Sequence, residues 1–510
     1  MKDLQGDKVG IGGLSASGEE PIHGSISHMN SRFRCPWLPL FLADFAAITA
    51  AYFVTWSMRF HSDTGARFFA AVNKALLVDQ TIQMGPYLKE FYIVSAPRII
   101  LLLTATLVLL YALRDLYAGR RFLRPRPMAW NVILANAMAL LLFYAYFYLS
   151  RNTFHPRSLF GSMLVLNVGF TIVFRSCMTG MMGRLRASGW DRCRVILAGS
   201  GEAVQRVEAL AQAHLQGYDV VARIPANDGD ILPGHLQAVA RQCPADMIVL
   251  AVPDLSVSEI MKCLEVAGEC DVAAKVLSDK MDILVDEAGL EADRIRGVPL
   301  LHFEAPSAAA RWLRIRLAAA FVLSVLMLVL AAPFMAIIAF LILVTSKGPA
   351  MYVQERIGVD RRSFRMLKFR TMYAGADELQ AEVEELNESG SGLFKIRRDP
   401  RVTPVGRFLR RFSLDELPQL VNVLRGEMTL VGPRPLPRRD FENYYEDWHY
   451  ARHEGLPGLT CLWQVSGRSD VGFHDMCILD VYYLRNQGWI LDVKILLKTV
   501  WVVLFAKGAY

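Results

Sequence analysis

The chain has 510 residues, 53% of them hydrophobic, and a mean hydropathy of +0.27; it is too apolar for an ordinary soluble enzyme and long enough for several domains. A net charge of +7 suits anionic headgroups and phosphorylated substrates, and the sequence offers no RNP-like, zinc-finger or helix-turn-helix signature that would support a nucleic-acid partner. Eight cysteines without a CxxC pair argue against a disulfide framework or a thiolate zinc site and read as reduced thiols.

Residues 1–31 are polar and rich in Gly and Ser, and read as a disordered cytoplasmic tail without a cleavable signal. Four apolar runs then offer membrane spans within 32–180: Pro36–Trp56, Phe91–Leu113, Trp130–Leu149, and Leu159–Ile172 extended toward Met178. Basic residues cluster before the first run (Arg32, Arg34), between the second and third (Arg114, Arg120, Arg121, Arg124, Arg126) and after the fourth (Arg175, Arg184, Arg186, Arg192). The positive-inside rule therefore puts the N-terminus and everything past about residue 180 in the cytoplasm.

From Cys193 the period changes. CRVILAGSG reads as a buried strand entering a Gly-rich turn, and strands alternate with helices to about residue 300. This predicts a small, parallel, Rossmann-like α/β domain over 190–300. Gly199-Ser200-Gly201 begins like a dinucleotide fingerprint. The third glycine is missing, however, and the second strand ends at Arg223-Ile224 without an acidic residue, which favours a structural or dimerising module.

Residues 311–346 are long enough to span, but Pro333 lies well inside them and both flanks are basic (Arg311, Arg314, Arg316; Lys347, Arg356, Arg361, Arg362). A spanning helix should carry such charge at one end, so the sequence predicts a helix broken at Pro333 that dips into one leaflet and returns. Residues 347–510 read as a membrane-adjacent cytoplasmic domain. ERIGVDRRSFRMLKFRTM gives two short strands, Ala376–Asn387 an acidic helix, SGSGLF a flexible loop, and Phe441–His453 an aromatic, charged helix. Trp489, Trp501, Lys494, Lys498 and Lys507 suit a final helix lying in the interface. His449 and His453 are four apart but lack the Glu of a zincin, and read as solvated or phosphate-contacting side chains.

Candidate chemistry centres on 399–435, DPRVTPVGRFLRRFSLDELPQLVNVLRGEMTLVGPRP. It sets adjacent carboxylates, Asp415 and Glu416, between the cations Arg407, Arg410 and Arg411 and a Gly-Pro turn holding Arg434. Arginine forks bind phosphate oxygens in bidentate fashion, and a carboxylate can attack phosphorus to split one transfer into two. Lys368, Arg370, Arg397, Arg398, Arg401, Arg425, Arg438, Arg439 and Arg468 add to a segregated cationic region.

Four blocks in order, KFRTM (368–372), SLDELPQL (413–420), GEMTLVGPRP (426–435) and PGLTCLWQVSGR (457–468), resemble the bacterial polyprenyl-phosphate hexose-1-phosphate transferases. The resemblance covers about residues 311–510, and the preceding helices and α/β domain look like those of long-form members. It implies a membrane protein of α plus α/β class. Its parts would be four N-terminal transmembrane helices, a Rossmann-like domain and a monotopic catalytic domain with a re-entrant helix. That catalytic domain would move glucose or galactose 1-phosphate from a UDP-sugar to undecaprenyl phosphate at the bacterial inner membrane and release UMP, initiating exopolysaccharide, capsule or O-antigen assembly. Carried over, Asp415 is the nucleophile, Glu416 its partner, and both are candidate Mg²⁺ contacts. Lys368, Arg370, Arg410, Arg411 and Arg434 would neutralise substrate phosphates, and Pro333 would break the re-entrant helix. Two departures stand out: Ala332 where members often have Ser, and Cys461 for the Gly of PGLTG. Partners are then the UDP-sugar, undecaprenyl phosphate, membrane lipid and a second copy of the chain. Rival readings are a membrane scaffold and a membrane-anchored nucleotide-sugar dehydratase; the latter needs a Tyr-x-x-x-Lys pair that the chain lacks.

Overall fold

A computed structural model describes residues 37–505 apart from 76–84, 118–127, 150–156, 191, 213–216, 226–231, 253, 287–292, 296–297, 312, 377–398, 444 and 467–470. The N-terminal tail, the acidic helix and SGSGLF loop, and Arg397, Arg398, Arg468 and Lys507 therefore lie outside the described residues.

The first unit comprises α1 (Leu38–His61), α2 (Asp63–Ala75), α3 (Gly85–Leu113), α4 (Met128–Leu149) and α5 (Arg157–Ala187). All but α2, together with the helix at Leu313–Thr345, are long and apolar enough to cross a membrane, five in all. Helix α2 escapes the hydropathy pattern because it is polar on one face; it is held by Phe69, buried under the Arg59 guanidinium at 5.3 Å. Polarity in the bundle is inverted relative to a soluble one. Leu101, Leu141 and Val165 face outward, while Asp44, Asn136, Asn167 and Arg175 are buried. Arg175 donates to Asp44 through Nε (2.7 Å) and Nη2 (2.6 Å) and to the Leu116 carbonyl, clamping α5 to α1 and α3. Asn136 and Asn167 join Tyr111 in a second link.

The α/β unit follows: β1 (Cys193–Gly199), α6 (Gly201–Gln212), β2 (Tyr218–Ile224), α7 (Leu232–Gln242), β3 (Met247–Ala251), α8 (Val257–Glu269), β4 (Ala273–Leu277), α9 (Asp282–Asp286), β5 (Asp293–Ile295) and β6 (Val298–Phe303). The sheet order is β2-β1-β3-β4-β6-β5. Strands β2, β1, β3 and β4 are parallel, but β6 runs antiparallel to β4 and β5 antiparallel to β6, so the sheet is mixed rather than wholly parallel. The β5–β6 hairpin is short, which hides it from an alternation pattern. At Gly199 (φ +141°) a Cβ would lie 2.4 Å from the Ala251 carbonyl oxygen, so strand packing alone accounts for the first glycine of the GxG.

Beyond lie α10 (Pro306–Arg311), α11 (Leu313–Thr345), β7 (Met351–Ile357), β8 (Ser363–Phe369), α12 (Pro404–Arg411), α13 (Gln419–Leu424), β9 (Thr429–Val431), β10 (Leu436–Pro437), α14 (Arg438–Asn443), β11 (Gly458–Thr460), α15 (Phe473–Arg485) and α16 (Trp489–Leu504). The expected strand pair is the antiparallel hairpin β7–β8, with β10 added to β7. Two expectations are corrected. Helix α11 continues through Pro333, which removes one intrahelical hydrogen bond without ending the helix. Phe441–His453 is not one helix: α14 stops at Asn443, and Glu446 restarts the chain as a 3₁₀ run over Asp447–His453, its carboxylate accepting from the His449 amide.

Both ends of α11 are tied to this last unit. Arg316 donates to Asp492 (2.6 Å from Nε) at the start of α16, and Arg370 Nη2 reaches the Ser346 carbonyl (3.0 Å) and hydroxyl (2.8 Å) at the other end. Between them Phe321, Val322, Leu330 and Phe334 are exposed. Helix α16 likewise exposes Leu497, Val500, Trp501 and Leu504, and Lys494 pairs with Asp115 beyond α3. The α/β unit packs on α15, with Phe303 edge-on to Tyr482 at 5.5 Å.

Candidate active site

Three short elements converge on the two carboxylates. Thr403 caps α12, its hydroxyl accepting from the Gly406 amide (2.9 Å), with Pro404 pre-setting the first turn. Gly406 lets α12 lie against the backbone at Thr371, where a Cβ would be 2.0 Å from the carbonyl oxygen. The chain leaves α12 through Ser413, a left-handed residue (φ +53°, ψ +24°), and enters a single 3₁₀ turn, Leu414–Glu416. Such a conformation is costly for a non-glycine residue. It turns Asp415 inward, where it is 9% exposed.

Strand β8 supplies Lys368. The strand is fixed by Asn422 of α13, which accepts from the Leu367 amide (3.0 Å) and donates to the Arg365 carbonyl (2.7 Å). The Gly432–Pro435 turn after β9 supplies Arg434. Lys368 Nζ and Arg434 Nη1 each lie 3.3 Å from Glu416 carboxylate oxygens, and Arg434 Nη2 also bonds Glu416 Oε1. The dyad is thus divided. Glu416 is saturated by two cations; among the described residues no hydrogen bond or ion pair reaches the Asp415 carboxylate.

The electrostatics follow that division. Burial alone would raise Glu416, but Arg434 and Lys368 hold it well below the usual carboxylate range. Asp415 is lifted above that range by burial, with Lys368 and Arg410 pulling the other way. Burial lowers Lys368 against the pull of Glu416, and lowers Arg410, whose Nε donates to the Thr371 hydroxyl at 2.9 Å.

Of the predicted residues, Asp415, Glu416, Lys368, Arg410 and Arg434 are brought together. Arg370 is not among them. It is buried and donates to the carbonyls of Ser346 and Lys347, spending its charge on the C-terminus of α11. Arg411 is exposed, its guanidinium 5.7 Å from the Phe412 ring, and it makes no ion pair with either carboxylate among the described residues. His449 and His453 are buried rather than solvated, at 1% and 6% exposure. His453 sits between the Tyr445 hydroxyl (2.9 Å) and the Gly358 carbonyl (3.0 Å). Glu446, His449 and His474 bring one donor atom each within 4.8 Å of the others. Yet His449 Nδ1 accepts from the Glu446 amide (2.9 Å), so the neutral ring carries its proton on Nε2 and offers no free lone pair to a metal.

Sequence reasoning passed over Arg356, reading it only as a basic flank of α11. It lies beside Arg434, donates to the Pro435 carbonyl (3.1 Å), and is drawn down to about 10 by burial and by Arg434. Asn422 was also missed, although it and Gln419 are amides inside the otherwise apolar LPQLVNVL run, a pattern that signals buried hydrogen-bonding tasks.

The class these features define is a membrane protein carrying a buried, cation-ringed carboxylate site suited to a phosphorylated ligand. The bacterial sugar transferase family profile matches residues 312–506. Similar proteins include the undecaprenyl-phosphate galactose phosphotransferase of Salmonella typhimurium strain LT2, 42% identical over 37% of this chain and 40% of that protein. The exopolysaccharide production protein ExoY of Rhizobium meliloti strain 1021 is 40% identical over 36% of this chain and 82% of its own length. The UDP-glucose:undecaprenyl-phosphate glucose-1-phosphate transferase of Escherichia coli K12 is 29% identical over 66% of this chain and 74% of that protein. The chain spans about two fifths of the Salmonella protein's length. It belongs to the bacterial sugar transferase family, in its long form.

Proposed function

We infer that the chain transfers hexose 1-phosphate, of glucose or galactose type, from a UDP-sugar to undecaprenyl phosphate, releasing UMP and initiating exopolysaccharide, capsule or O-antigen repeat units. The observation carrying this reading is the asymmetry of the dyad: a buried Asp415 without a hydrogen-bond or ion-pair partner among the described residues, beside a Glu416 fully engaged by Arg434 and Lys368. An Asp415 carboxylate oxygen bonds to the phosphorus that bears the sugar, and the bond from that phosphorus to the UMP oxygen breaks. A phosphate oxygen of undecaprenyl phosphate then attacks the same phosphorus and the carboxylate departs unchanged. Lys368, Arg410 and Arg434 offset charge on the transferring group. Glu416 holds Lys368 and Arg434 in place rather than moving a proton. Arg411, exposed near Phe408 on α12, suits a phosphate arriving at the bilayer surface.

The donor set does not fit a resident Mg²⁺. Both Glu416 oxygens already face cations, leaving Asp415 alone, whereas Mg²⁺ bound through one or two carboxylates generally relies on substrate phosphates as well. We therefore place any Mg²⁺ requirement with the diphosphate of the donor.

The attachment of both α11 ends to one unit supports a re-entrant helix bent at Pro333, with the α/β unit and the site in the cytoplasm beneath four spanning helices. The domain limits follow as 32–180, 190–300, 311–346 and 347–510, in the bacterial inner membrane, with a homodimer through the α/β unit. Purified protein in nanodiscs, given undecaprenyl phosphate, Mg²⁺ and a panel of UDP-sugars, should release UMP with one donor and not with Asp415→Asn. Release by that variant would overturn the reading.

A further inference from the structure

The turn that presents Arg434 cannot hold itself. Pro433 and Pro435 flank the arginine and lack amide protons, so the segment has few donors with which to lock its own shape. Its carbonyls are instead taken by three separate elements. Pro433 accepts from the Gly458 amide (2.9 Å), Arg434 from Arg452 Nη2 (2.8 Å) and Pro435 from Arg356 Nη1 (3.1 Å). Arg452 is itself fixed. Its side chain and that of Asp480 are each 1% exposed; Nη2 and Nε bond Asp480 Oδ2 at 2.5 and 3.1 Å, and Nη1 donates to Tyr445 (3.0 Å). No ligand phosphate could reach a guanidinium so enclosed. Asp480 projects from α15, and the same helix reaches the turn's approach through Tyr483, whose hydroxyl donates to the Val431 carbonyl (2.8 Å).

We propose that Arg452, oriented by Asp480, is a positioning residue. By gripping the Arg434 carbonyl it sets where the Arg434 guanidinium meets Glu416, and so the geometry beside Asp415. The kinetic consequence rests on the transfer reading above; the structural one does not. A buried ion pair can often be replaced by apolar residues of similar volume without loss of stability, which separates folding from positioning. The test is therefore the full chain in nanodiscs carrying Arg452→Met with Asp480→Leu, compared with wild type. Arg452→Lys, which keeps the pair but loses the fork, is read in the same way should the double variant not fold.

Hydrogen exchange of the peptide spanning Gly432–Leu436 should speed up by about tenfold or more while the rest of α15 exchanges as in wild type. Turnover should fall by about 100-fold with KM for the donor within about twofold, as expected for misorientation rather than lost binding. Unchanged exchange in the turn of a folded variant overturns the proposal, as does turnover within about twofold of wild type. A wild type without turnover but with faster exchange in the variant sinks the transfer reading and upholds the positioning role.

Discussion

At Glu416 and Asp415 two neighbouring carboxylates are set apart by what surrounds them. Adjacent residues diverge on a helical turn, and here one points into the Arg434–Lys368 pair while the other has no hydrogen bond among the described residues. Glu416→Gln should therefore lower turnover by about 10- to 100-fold, since it leaves two buried cations uncompensated. Steady-state UMP release together with the thermal midpoint checks this, and an unimpaired Gln variant would count against the structural role of Glu416. The Asp415 carboxyl is raised above the ordinary aspartate value by burial, so the ionised form that the proposed covalent step requires is lost as pH falls through a pKa higher than that of a free aspartate. The acidic limb of the rate profile should move correspondingly upward.

His453 gives a stability prediction with the opposite logic. Burial, with Arg452 nearby, lowers it from 6.5 to about 4. The unfolded chain then takes up a proton at higher pH than the folded chain does. Its contribution is fully present above pH 6.5 and is lost as pH falls toward 4, about 2 kcal/mol of it by pH 5. His453→Gln, which keeps hydrogen-bonding capacity without titrating, should flatten that decline in a pH series of melting curves. These residue-level facts were only partly legible in sequence. The dyad, Lys368 and Arg434 stand in motifs, but nothing local distinguishes the cation that faces Glu416 from Arg370, which faces a helix end. That difference depends on where the α11 C-terminus arrives, a tertiary fact.

At the scale of elements, the sequence pattern succeeded where periods are long and pure. The runs behind α1, α3 and α4 are legible because each holds an 18-residue window of high hydropathy with at most two charged residues. It failed at α2, at the β5–β6 hairpin and at the Asp447–His453 turn, where elements are short or two-faced and packing decides. Pro333 was legible as a disturbance but not as a residue that a continuous helix accommodates. The lock at the end of α11 yields a test of the Arg370 assignment. Arg370→Met leaves the Ser346 and Lys347 carbonyls without their donor and should cost about 2–3 kcal/mol of stability. KM for the donor should remain within about twofold in membranes at low temperature. A large rise in KM without loss of stability would instead return Arg370 to phosphate binding.

The whole molecule joins a membrane bundle, a mixed α/β unit and a transfer unit, with α15 and α16 as the shared supports. Helix α15 carries Asp480 toward the Arg434 turn on one side and Tyr482 against Phe303 on the other; α16 meets Arg316 at the start of α11 and Asp115 beyond α3. If α11 re-enters, single cysteines placed at Arg314 and Thr345 should both label from the cytoplasmic side in sealed vesicles. Labelling from opposite faces would establish a fifth span and remove the site from cytosolic nucleotide sugars.

The central claim is a covalent step at one carboxylate, and the measurement closest to it is intact and peptide mass analysis of protein quenched after mixing with donor alone. A mass gain of one hexose phosphate confined to the peptide containing Asp415, absent in Asp415→Asn and discharged by undecaprenyl phosphate, is the result expected. UMP formed only when the lipid is present, with no adduct trapped on any time scale sampled, would contradict it and point to direct transfer between the two substrates.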